Sequence, residues 1–119
     1  MHEYRKLKVW QRSHGLMKDI YGVTRNFPPE ERFALRVQLQ KAALSIPSNI
    51  AEGSGRFSRA EYRRFVEFAS GSSFEVDYQL FAAHDLGYID DPTYERLTPE
   101  LLEIQKMLRG FHRHLSTKY

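Results

Sequence analysis

The stretch SRAEYRRFVEFASGSSFEVDYQLFAAHDL, residues Ser58–Leu86, decides the fold. At about 100° per residue, Tyr62, Phe65, Ala69, Val76, Leu80 and Ala83 fall on one side of a helix. Phe74, Tyr78 and Phe81 fall roughly on the other side. Ser58 and Glu61 have the spacing of a capping box, which starts the helix. Gly87 supplies its stop. A small bundle covers only one face of each helix with its own core. The second face needs another partner, and the simplest is another copy of the chain.

The stretch before it repeats the pattern. Between Glu30 and Gly53, Leu35, Leu39, Ala42, Ile46 and Ile50 share one face, with Phe33, Val37, Leu44 and Ala51 opposite. Pro47 lies inside this helix and should kink or interrupt it, with continuation favoured because Ile50 keeps the stripe. Further out, Val9, Leu16, Ile20 and Val23 mark a first helix, stopped by Asn26-Phe27-Pro28-Pro29. Leu97, Leu101, Ile104, Leu108, Phe111 and Leu115 mark a fourth, opened by Asp91 as cap and Pro92 in the first turn. Thr98-Pro99 offers a second possible start. Helices over about 8–25, 30–53, 58–86 and 92–116, with short connections, predict an all-α protein. Its expected architecture is an antiparallel up-down-up-down four-helix bundle in one domain, residues 1–119.

The chain has 119 residues, enough to bury about two-thirds of its unfolded surface. It has no cysteine, which excludes disulfides and thiolate chemistry. Its first residues lack the apolar core of a signal peptide, and no apolar run approaches the roughly 20 residues that span a bilayer. The expectation is a soluble cytoplasmic protein with no membrane contact. The net charge of +3 divides into +7 over residues 1–64 and −4 over residues 65–119. A basic half suits an anionic partner such as RNA or DNA, although solvated helix faces also carry such charge.

The candidate nucleic-acid residues follow from that charge. Gly53-Ser54-Gly55-Arg56 leads into the helix capped at Ser58 and offers backbone N–H groups, with Arg56 and Arg59 adding charge. An ordinary glycine-ended turn fits the same residues, since no phosphate-loop Lys-Ser/Thr pair follows. Lys41, Arg59 and Arg63, with Arg5, Lys6, Lys8 and Arg12, form one basic set, and Lys106, Arg109 and Arg113 form another. No aromatic residues interleave with them in a base-stacking pattern, so phosphate contact is expected. Ser48, Asn49, Glu52, Glu75 and Gln79 lie near apolar stripes and suggest a polar layer that sets register or subunit contact. The five histidines have no metal-ligand spacing, and no nucleophile motif appears. The sequence therefore offers no metal site, no cofactor site and no catalytic residue.

Several strings carry a resemblance. They are Val9-Trp10-Gln11, Phe27-Pro28, the run Ser45-Ile46-Pro47-Ser48-Asn49-Ile50-Ala51-Glu52-Gly53 with Gly55-Arg56, Ala69-Ser70-Gly71-Ser72, Leu86-Gly87-Tyr88-Ile89 and Lys106-Met107-Leu108. Together they resemble the four-helix-bundle family encoded in intervening sequences of 23S ribosomal RNA genes, often labelled S23 ribosomal protein. The accessory proteins of diversity-generating retroelements are related to it. The resemblance implies a ring-shaped homopentamer and no established reaction. Gln40-Lys41 stands where a basic pair is common, and Asp77 precedes Tyr78; both lower the basic character.

These readings combine into a non-catalytic, ring-forming bundle that binds nucleic acid, or a nucleic-acid enzyme, through a basic surface. Phe33, Val37, Leu44, Phe74, Tyr78 and Phe81 are its expected interface. The alternative is a structural or protein-interaction oligomer without a nucleic-acid role. A more remote one is a ligand-binding or enzymatic bundle built around Glu52 and Glu75.

Overall fold

The structure is a computed structural model and describes residues 3–117. Four helices, α1 (Lys8–Thr24), α2 (Leu35–Ser54), α3 (Arg59–Asp85) and α4 (Asp91–Ser116), run up and down as an antiparallel bundle. Short 3-10 turns at Tyr4–Lys6 and Pro29–Glu31 precede α1 and α2. No strand occurs among the described residues. The helices form a closed square, with α1 against α2 and α4, and α3 against α2 and α4. The body measures 48 × 24 × 20 Å.

The core is the set of inward stripes. Leu16, Ile20, Leu39, Ile46, Ile50, Val66, Val76, Leu80, Ile104 and Leu108 are essentially removed from solvent. Burying an aliphatic side chain of this size stabilises by about 1.5–3 kcal/mol. Outside the core, Arg12 clasps α1 to α4 with two hydrogen bonds to Glu100, at 2.8 and 2.7 Å.

α2 runs unbroken through Pro47, as the stripe at Ile50 requires. The proline has no N–H for the Ala43 carbonyl. Two residues on, Asn49 Nδ2 donates to the Ser45 carbonyl at 2.8 Å and to Ser45 Oγ at 2.9 Å. α2 begins later than the expected residue 30. Pro29–Glu31 forms its own 3-10 turn, and Ala34 has φ −120° and ψ −111°, outside the helical region. Glu31 explains the break. Its Oε1 accepts from the Leu35 amide at 3.1 Å, capping the new helix, and its Oε2 accepts from the Tyr88 hydroxyl at 2.8 Å. That hydrogen bond holds the Tyr88 phenol above its ordinary pKa.

Ser58 Oγ accepts from the Glu61 amide at 3.1 Å, as the capping pattern predicts. α3 ends in a Schellman motif. Tyr88 N donates to the Ala83 carbonyl at 2.8 Å, Gly87 N donates to the His84 carbonyl at 3.0 Å, and Gly87 has φ +80°. The cap of α4 is Asp90 rather than Asp91: its Oδ1 accepts from the Thr93 amide at 2.9 Å. Pro92 thereby sits at the second helical position, where its missing N–H costs nothing. The helix continues through Pro99 without a second start.

Candidate assembly surfaces and nucleic-acid interface

Two edges of the square stay apolar toward solvent. On the α3–α4 edge, Phe74, Tyr78 and Phe81 are exposed and border a shallow groove of about 360 Å³ with Asp77 and Tyr94. On the α1–α2 edge, Leu44 and Pro47 face Trp10 and Met17 across a groove of about 190 Å³. These edges lie across the bundle from one another, because α1 and α2 occupy one side of the square and α3 and α4 the other. Val37 is half-buried on α2. Phe33 is exposed but lies in the turn before α2, so it does not extend that helix's stripe.

The suggested polar layer does not form inside the subunit. Ser48, Glu52 and Glu75 are exposed, and Asn49 turns back on Ser45. The reason is register: each sits beside a core stripe rather than on it. The polar contact that does cross between α2 and α3 joins Ser45 Oγ to Ser72 Oγ at 2.8 Å. Gln79 is half-buried, and its Oε1 is buried without a partner among the described residues.

The glycine-rich turn is also built differently. Gly53 belongs to α2, where a side chain would collide with Phe65 Cβ and Tyr62 Cδ1, each 2.8 Å from the position of its missing Cβ. It allows the end of α2 to touch the start of α3. The Gly55 and Arg56 amides donate to the Glu52 and Gly53 carbonyls, and Ser58 Oγ occupies the Glu61 amide. These bonds remove three donors from the expected phosphate cradle.

The basic residues gather by topology rather than by neighbourhood in sequence. The start of α1, the end of α2, the start of α3 and the end of α4 share one end of the bundle. Residues 3–15, 46–71 and 104–117 make up that half and hold eleven Lys/Arg against four Asp/Glu. Residues 16–45 and 72–103 make up the other half and hold six against eleven. The bundle is therefore electrically polar along its length. Arg56, Arg59, Arg109 and Arg113 are exposed in the basic half, and Arg63 is half-buried there. Arg59 Nη2 donates to the His114 carbonyl at 2.7 Å, which ties the α2–α3 turn to the end of α4. Lys106 is exposed further along α4. Lys41 is apart, roughly four turns before Arg56. Arg12 is committed to Glu100 and adds little to the basic surface.

The residue that sequence reasoning missed is Phe57. It stands between Arg56 and Arg59 and is 107% exposed. It belongs to neither helix, so no stripe contains it. An apolar residue in a turn between two arginines was the available signal.

Comparison with known proteins places the chain. Its fold is similar to a crystal structure from Bacteroides thetaiotaomicron, a protein of unknown function from the S23 ribosomal protein family. The two agree with a TM-score of 0.79 and 25% identity over 92% of this chain and 99% of that one. No curated protein matches the chain. The family described as 23S rRNA-intervening sequence protein matches residues 5–110, from before α1 into the last turns of α4. With the same four helices and a match over most of its length, the chain belongs to the 23S rRNA-intervening sequence protein family.

Proposed function

We propose that this protein is a non-catalytic bundle that assembles side by side into a closed ring and offers one basic face to nucleic acid. The observation that carries the reading is the pair of unlike apolar grooves on opposite edges of the square. A surface that fits a different surface gives a head-to-tail contact, and such contacts close into a ring when the repeated rotation completes a circle. Five is the number the family resemblance implies. Packing in the same sense turns every basic end to one side of the ring, where the positive potentials add. Polyanion binding by phosphate contact suits such a face. A role on nucleic acid would put the chain in the cytoplasm.

Sedimentation velocity at micromolar concentration tests the assembly. The expected species has about five times the 14.0 kDa subunit mass, and a species of 14.0 kDa overturns the ring. Filter binding to single- and double-stranded RNA and DNA over a salt series tests the second half. Binding that weakens steeply with salt supports it. An assembled ring with no binding at low salt leaves a structural oligomer instead.

A further inference from the structure

The basic end contains a cleft of about 450 Å³ between the Tyr4–Lys6 turn, the α2–α3 turn and the end of α4. Its lining is apolar at Leu7, Tyr62, Phe111 and Leu115. Tyr62 meets Phe111 edge to face at 5.1 Å, and burial pushes the Tyr62 phenol up in pKa. Its rim is cationic. Arg56 Nη2 donates to Glu52 Oε2 at 2.7 Å, and its guanidinium lies 4.5 Å from the centre of the Phe65 ring. Arg59 is held by the His114 carbonyl. Each bond occupies one of about five N–H donors of its guanidinium, and the Glu52 carboxylate offsets part of the Arg56 charge, which leaves Arg59 as the stronger cation of the rim. Among the described residues that line the cleft or bond to its arginines, the carboxylates are Glu3 in the lining and Glu52 on Arg56.

Phe57 stands at the mouth of this cleft. A single exposed phenylalanine needs no special explanation. This one is wholly uncovered and shares the lining of one partly aromatic cavity with Arg56 and Arg59. An aromatic ring and two arginines around one cavity match a nucleotide, which offers a flat π-face joined to a phosphate. Bases within a duplex are already stacked on one another and cannot use the ring.

We infer that the cleft at the basic end takes one nucleotide of a single-stranded nucleic acid, its base stacked on Phe57 and its phosphate held by Arg56 and Arg59. The inference rests on the nucleic-acid half of the proposed function and adds strand preference and a site to it.

The test uses the full chain and fluorescence anisotropy with a labelled twelve-residue oligothymidylate and a duplex of equal length. The intact protein should prefer the single strand. Phe57→Ala should weaken that binding by about tenfold, leave the duplex unaffected and leave the salt dependence unchanged, while Phe57→Trp retains affinity. Arg56→Ala with Arg59→Ala should instead flatten the salt dependence, by about 0.7 in the logarithmic slope for one phosphate. Equal binding by Phe57→Ala and the parent overturns the site while the proposed function stands. Failure of the parent to bind either oligonucleotide overturns the site together with the nucleic-acid half of the proposed function. Sedimentation of the same samples closes the remaining route: a lower assembled mass for Phe57→Ala assigns the ring to subunit contact and overturns the inference.

Discussion

Leu80 and Phe81 are neighbours on α3, both apolar, yet Leu80 is 0% exposed and Phe81 is 53% exposed. The same contrast runs the length of the helix, with Val76 buried beside exposed Phe74 and Tyr78. Hydropathy cannot separate the two sets, because each would gain about 25 cal/mol per Å² of apolar surface removed from water. Helical register separates them. The inner set is satisfied by α2 and α4 of its own subunit. The outer set keeps its driving force for association.

The largest expected effect breaks the inner face. Leu80→Glu puts an unpaired carboxylate at a fully buried position, a change worth about 4 kcal/mol or more. Urea titration followed by circular dichroism should find no cooperative transition. Gly53→Ala comes next, at about 1–3 kcal/mol, because its added methyl meets Phe65 and Tyr62 at 2.8 Å. A lower melting temperature at unchanged helicity is the expected reading. The outer face should behave oppositely. Phe74→Glu or Leu44→Glu should cost the subunit under about 0.5 kcal/mol, since both sites are exposed, while sedimentation reports the loss of the assembled species. An outer variant that unfolds as readily as Leu80→Glu would erase the contrast.

The smallest expected effect concerns pH and is best measured in the Phe74→Glu background, free of assembly. Hydrogen bonding from Arg12 holds the Glu100 carboxyl below its ordinary pKa, and hydrogen bonding from Thr93 does the same for Asp90. Both groups bind protons less readily folded than unfolded. Their stabilisation is present above about pH 4 and is lost as pH falls through the depressed folded values. The urea midpoint should fall in that window, and less steeply in Glu100→Gln.

The stripes were legible because periodicity records which side of a helix meets the core. Ser58 was legible as a cap for the same local reason. The start of α2 was not, because its capping carboxylate, Glu31, is itself anchored by Tyr88 from a distant loop. Asp90 and Asp91 are equivalent cap candidates in sequence, and only the backbone path chooses between them. The polar contact between α2 and α3 fell to Ser45 and Ser72, small groups that fit where two helices approach, rather than to the larger Glu52 and Glu75. The charge polarity is hidden in a linear reading because two helix ends that meet there, at Arg59 and His114, are separated by nearly the whole of α3 and α4.

Unlike edges carry a hazard of their own. A chain of subunits joined front to back has an unmated half at each tip until the last member meets the first. Closure depends on the angle of one repeated joint. A substitution near Phe74 or Leu44 that tilts this joint by a few degrees, without weakening it, would turn the circle into a screw, and the product would be a filament of unlimited length.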